Sequence, residues 1–159
     1  MNERAATVGT RVQVGRAPTR EGGTAVDGAH DIRGSSSKGH VLIVEDEPGL
    51  AEVLALHLEA SGYSAVVAHD GLQALYEMDR SPPQVVLLDL HLPQVSGFRL
   101  IQLLKQRVDA PRPPVIVITA LSFQEAQEAV RAGADDFITK PFLPAEVVTR
   151  VERILARQG

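Results

Sequence analysis

The chain has 159 residues, 44% of them hydrophobic and 4% aromatic, with a formal net charge of -4 at pH 7. This length fits one domain with a tail around an aliphatic core, and the absence of cysteine excludes a disulfide framework and thiolate metal sites. No apolar run reaches membrane-spanning length and no signal peptide opens the chain, so a cytoplasmic protein without membrane contact is expected.

Residues 1–39 lack any sustained hydrophobic period and contain Gly22-Gly23 and Gly34-Ser35-Ser36-Ser37. Too little apolar surface is present to offset ordering entropy, so a disordered N-terminal extension is expected there. Residues 1–38 carry six basic and four acidic side chains, the remainder ten basic and sixteen acidic. An acidic globular part argues against direct nucleic-acid binding by this chain.

At His40 the pattern changes. Val41-Leu42-Ile43-Val44 is the run expected of a strand buried on both faces. Glu45-Asp46-Glu47-Pro48 then opens a helix, with Leu50, Val53, Leu54, His57 and Leu58 at helical spacing and Gly62 as its stop. His57 on that stripe is expected to be a packed core-edge side chain, not a ligand. Ser64 to Ala68 forms a second strand. Asp70-Gly71 caps a helix with Leu72, Leu75 and Tyr76 along one side.

Val85-Val86-Leu87-Leu88 is a third buried strand and ends in Asp89. A helix marked by Phe98, Ile101, Leu104 and Val108 follows, then a stiff Ala110–Pro114 connector. Val115-Ile116-Val117-Ile118 is the fourth strand, ending in Thr119. Ser122 and Glu125 have capping-box spacing, and Gly133 ends that helix. Asp136 to Thr139 is the fifth strand, followed by Lys140-Pro141. Pro144 opens a last helix with Val147, Val148, Val151, Ile154 and Leu155 inward.

Five strands alternating with five helices over about residues 40–158 mean βαβ units and an open, doubly wound parallel sheet. Such a sheet carries its functional groups at the C-terminal rim of its strands. This chain places Glu45, Asp46, Asp89, Thr119 and Lys140 there. Three converging carboxylates repel, and a hard divalent cation bound by oxygen ligands relieves that repulsion. A carboxylate beside such a cation can attack phosphorus, with an ammonium and a hydroxyl holding the phosphoryl oxygens.

The segments Val41–Pro48 (VLIVEDEP), Val85–Pro93 (VVLLDLHLP), Val115–Ala120 (VIVITA) and Gly133–Phe142 (GADDFITKPF) resemble the landmarks of response-regulator receiver domains, in order and at family spacing. The resemblance implies a flavodoxin-like α/β fold, a five-stranded parallel sheet of order 2-1-3-4-5 with five helices. It implies Asp89 as phospho-acceptor. It also implies Mg²⁺ (or Mn²⁺) held by Asp46, Asp89, the backbone carbonyl of His91, and Glu45 through water. By the same resemblance Thr119 and Lys140 align with the phosphate-contacting hydroxyl and lysine. The resemblance further implies a switch formed by Thr119 and Phe137, with Phe137 in place of the more frequent Tyr. Lys140-Pro141 aligns with a peptide bond that is commonly cis.

The implied partner is a sensor histidine kinase or a phosphotransfer protein. The last segment resembles receivers of winged-helix transcription regulators, so a phosphorylation-favoured homodimer through Asp135, Asp136, Glu146, Arg150 and Arg153 is expected. The implied chemistry is self-phosphorylation and self-dephosphorylation, not turnover catalysis. One alternative is that the chain is the receiver fragment of a DNA-binding transcriptional regulator. Another, an Asp-dependent phosphohydrolase, is disfavoured because it wants a second acid where His91 stands. A nucleotide-cofactor protein is weaker still, since no G-x-G-x-x-G follows the first strand.

Overall fold

The computed structural model describes residues 36–120 and 122–159. Ten elements alternate along it: β1 (His40–Val44), α1 (Pro48–Ala60), β2 (Ser64–Ala68), α2 (Gly71–Arg80), β3 (Val85–Leu88), α3 (Gly97–Gln106), β4 (Val115–Thr119), α4 (Phe123–Ala132), β5 (Asp136–Thr139) and α5 (Pro144–Ala156). The strands form one parallel sheet in the order β2-β1-β3-β4-β5.

Alternation along each strand divides the core in two. Val41, Ile43, Val85, Leu87, Ile116 and Ile118 pack with Leu54, Leu58, Val147 and Val151 of α1 and α5. Leu42, Val44, Val86, Leu88, Val115 and Val117 pack on the other face with Met78, Leu100, Leu104 and Ala129 of α2, α3 and α4. Burial on both faces is why these strands are continuous apolar runs.

The helix ends follow local chemistry. Asp70 accepts from the Gln73 N–H and caps α2. Ser122 and Glu125 form the reciprocal capping box of α4, which Gly133 closes at φ 126°. Pro48 and Pro144 sit at the starts of α1 and α5.

Three details differ from the sequence expectation. In α1 the buried row is Ala51, Leu54, Ala55 and Leu58; His57 is exposed, with Nδ1 bonded to the Val53 carbonyl at 2.9 Å. In α2 the buried row is Gly71, Ala74, Glu77 and Met78, while Leu72 and Tyr76 are exposed. Val108 lies beyond the end of α3 and is exposed. In the first two cases small residues make the close contact with the sheet and turn larger neighbours outward.

The packed unit also begins slightly before β1. The Lys38 N–H donates to the Gly62 carbonyl at 2.9 Å, and Gly39 is buried. The rest of the expected N-terminal extension, residues 1–35, lies outside the described residues.

Gly97 opens α3 directly beneath the end of β3. A Cβ there would stand 2.6 Å from the Leu90 Cα and 2.7 Å from the Asp89 carbonyl oxygen, both backbone atoms that cannot rotate away. Gly49, in the first turn of α1, has nothing within 4 Å of the same added atom. Gly97→Ala is therefore expected to destabilise the protein by roughly 1–3 kcal/mol through overpacking. Gly49→Ala is expected to be neutral or to stabilise by up to about 1 kcal/mol through helix propensity. Urea denaturation of the two variants checks the opposite signs.

Candidate functional site

The register that pairs Val44 with Leu88 sets the next residues, Glu45 and Asp89, side by side at the C-terminal rim. The Asp89 N–H donates to the Val44 carbonyl at 3.0 Å, extending that pairing by one step. Both side chains are buried, whereas Asp46 is exposed. One carboxylate oxygen from each of Glu45, Asp46 and Asp89 lies within 4.8 Å of the others. Lys140 arrives from the end of β5, two strands away from β3. Its Nζ donates to Asp89 Oδ2 at 3.0 Å and to Glu45 Oε2 at 3.1 Å. The other oxygens of the two buried acids accept backbone hydrogens: Asp89 Oδ1 from the His91 N–H at 2.9 Å, Glu45 Oε1 from the Glu47 N–H at 3.2 Å.

These contacts do not balance the charge. Burial, and then the charge of Asp89, push the Glu45 carboxyl up to about 7, against lowering by the Glu47 N–H and Lys140. Burial acts against the Lys140 ammonium, but its hydrogen bonds and charge interactions with Asp89 and then Glu45 prevail, so its pKa is raised above the usual lysine value. At this separation two like charges repel by about 3 kcal/mol at an effective dielectric of about 20. Three carboxylates and one ammonium leave two negative charges uncompensated when all are ionised. An all-oxygen donor set with that residual charge fits a hard divalent cation.

Thr119 is fully buried at the end of β4, and its carbonyl accepts from the Lys140 N–H at 2.8 Å. The Lys140-Pro141 peptide bond is cis. Phe137 is half-buried on β5 and meets exposed Phe123 edge to face, with ring centroids 5.9 Å apart.

Of the residues expected at a dimer face, Asp135, Asp136, Glu146 and Arg150 are engaged within the chain. Arg150 Nη1 donates to both oxygens of Asp136 at 2.7 and 2.8 Å, and its Nη2 lies 3.7 Å from Glu146. Asp135 pairs with Arg112 and accepts from the Val115 N–H at 2.8 Å. Arg153 is exposed on α5.

One member of the rim has no counterpart in the sequence expectation, which assigned nothing to the end of the second strand. His69, directly after β2, places Nδ1 3.1 Å from the Glu45 carbonyl oxygen. Its place one residue past a strand of the same sheet was the available signal. A contact from a ring to a backbone carbonyl leaves no pattern of residue types.

The family profile described as "Response regulator receiver domain" matches residues 41–152. The chain is 42% identical over 120 residues to the sensory transduction protein RegX3 of Mycobacterium tuberculosis, covering 75% of this chain and 52% of that protein. It is 37% identical over 118 residues to the phosphate regulon transcriptional regulatory protein PhoB of Klebsiella pneumoniae, covering 74% and 52%. The chain thus spans about half the length of the curated relatives it matches. Among solved structures, the receiver domain of the Francisella response regulator 1452 superposes with a TM-score of 0.70 at 31% identity, covering 76% of this chain and 99% of that one. The BeF3-activated DrrB receiver domain gives 0.67 at 29% identity, covering 74% and 97%. A profile that spans most of the chain, the sheet order β2-β1-β3-β4-β5 and the acidic cluster at its rim place this chain in the response-regulator receiver family.

Proposed function

We propose that the chain is a phosphoryl-accepting switch in which Asp89 takes a phosphoryl group from a histidine kinase or a phosphotransfer protein in the cytoplasm. The observation that carries this reading is the convergence of Glu45, Asp46 and Asp89 within 4.8 Å, with Lys140 bonded to two of them. Asp46, Asp89, the His91 carbonyl and Glu45 are the residues that would hold Mg²⁺ (or Mn²⁺), Glu45 through water. When bound, such an ion would supply positive charge to the acids and to the phosphoryl oxygens.

The chain's own groups do the rest. Asp89 Oδ attacks phosphorus while the bond to the donor nitrogen breaks, giving an acyl phosphate. Lys140, already beside Asp89 Oδ2, takes one phosphoryl oxygen as the charge on the acid is spent. The Thr119 hydroxyl donates to another. Movement of Thr119 toward the phosphate opens room for Phe137 to turn inward from Phe123 and repack the face of α4, β5 and α5. One such hydrogen bond contributes only about 1–3 kcal/mol, so the two forms lie close in energy. A second reading, that this is the receiver part of a longer transcriptional regulator, is favoured by the half-length match to relatives named as regulators.

Acetyl phosphate and Mg²⁺ together are expected to add the mass of one phosphoryl group to the intact protein and none to Asp89→Asn. An adduct that persists in Asp89→Asn refutes the assignment.

Because folding raises the Glu45 carboxyl from its ordinary 4.5 to about 7, the folded state holds its proton more tightly. Its contribution to stability is complete below about pH 4.5 and is lost as pH rises through about 7. Metal-free protein is therefore expected to lose Tm over that window relative to Glu45→Gln. Mg²⁺ binding near pH 6.5 is expected to release a proton, which calorimetry in buffers of different ionisation enthalpy detects.

Beryllofluoride is expected to shift the sedimentation of the wild-type chain from monomer to dimer through the face that carries Asp135, Asp136, Glu146 and Arg150, and to leave Thr119→Ala monomeric. An unchanged wild-type monomer argues against the dimer. A Thr119→Ala dimer argues against the relay through Thr119.

A further inference from the structure

We infer that His69 is a positioning residue for the acidic rim, holding the backbone that aims Asp46. The inference rests on the reading of that rim as a site for a divalent cation and a phosphoryl group.

The three acids are held unequally. Glu45 is tied through both carboxylate oxygens, to Lys140 and to the Glu47 N–H, and Asp89 through both of its own, to Lys140 and to the His91 N–H. Asp46 is exposed, and its carboxylate has no hydrogen bond or ion pair among the described residues. Its direction therefore depends on its backbone.

The peptide unit that leads into Asp46 is planar, so fixing the Glu45 carbonyl oxygen also fixes the Asp46 N–H. His69 Nδ1 lies 3.1 Å from that oxygen. A carbonyl has no hydrogen to give, so Nδ1 carries it and donates. The Glu45 N–H is itself bonded to the Ala68 carbonyl at 3.0 Å, so the Glu45 backbone is held on both sides by consecutive residues, Ala68 and His69.

His69 is in turn anchored. Its N–H donates to Gln73 Oε1 at 2.8 Å, and the Gln73 N–H donates to the capping Asp70 at 2.8 Å. A continuous set of hydrogen bonds thus runs from the rigid first turn of α2 to the loop bearing Asp46. Outer partners of this kind orient the ligands of a cation without touching it.

The test uses Mg²⁺ alone in calorimetry, and Mg²⁺ with acetyl phosphate in phosphorylation, on the full chain. His69→Leu removes the donor; its Mg²⁺ dissociation constant is expected to rise about three- to tenfold, the worth of one lost hydrogen bond. The Mg²⁺ concentration for half-maximal phosphorylation is expected to rise in parallel, with the rate at saturating Mg²⁺ unchanged. His69→Asn, whose amide N–H can stand where Nδ1–H stood, is expected to restore most of the affinity. Unchanged Mg²⁺ affinity in His69→Leu overturns the inference. So does a His69→Asn protein as impaired as His69→Leu, which assigns the effect to ring packing. A wild-type chain that neither binds Mg²⁺ nor is phosphorylated overturns the functional reading itself, a result that the wild-type arm separates from the other two.

Discussion

One ammonium shared between two buried carboxylates is the interaction on which the rim depends. Lys140 Nζ lies 3.0 Å from Asp89 and 3.1 Å from Glu45, and without it two like charges would face each other with little water between them. A buried charge is tolerated when it is paired and hydrogen-bonded. Lys140 meets that condition for two acids at once, but only in part, since Glu45 still holds its proton up to about pH 7. The rim is therefore assembled in advance yet remains short of positive charge. An acidic cluster of this kind is typical of the cation site of receiver domains.

The sheet makes this arrangement possible. Parallel strands end on one edge, and the adjacency of β1 and β3 brings Glu45 and Asp89 together although 44 positions separate them in the chain. Lys140 leaves β5 and must reach across β4, over two inter-strand spacings of about 4.8 Å each, to find Asp89. Only a long, flexible cation spans that distance. Thr119 at the end of β4 lies beneath its path, with its carbonyl bonded to the Lys140 N–H. Below Asp89, the bare backbone of Gly97 lets α3 begin where any side chain would collide with the end of the strand.

Most of this could be read from the residues. The four-residue apolar runs marked the strands because a sheet covered on both faces leaves no polar alternation, and β2 and β5 have the bounds that the composition indicated. The acids and Lys140 were legible because strand ends in such a sheet converge. Other features were not. The apolar periods of α1 and α2 pointed to large side chains, but Ala51, Ala55 and Ala74 take the closest contacts and leave Val53, Leu72 and Tyr76 outside. An alanine carries too little hydrophobic signal to outvote a leucine in a pattern, though in a dense interface it is often what fits. His69 was missed for a different reason. Its contact is with a backbone carbonyl, which every residue has, so no neighbouring residue type announces it.

The pairing of Arg150 with Asp136 and Glu146 also constrains how two copies can meet. Any ion pair formed across a two-fold axis by these groups replaces one already present inside each subunit, so the number of ion pairs is nearly conserved on association. Little net Coulomb energy is left to drive assembly. In such an association the charges would govern which surfaces match and in what alignment, while the strength of the contact would have to come from other groups.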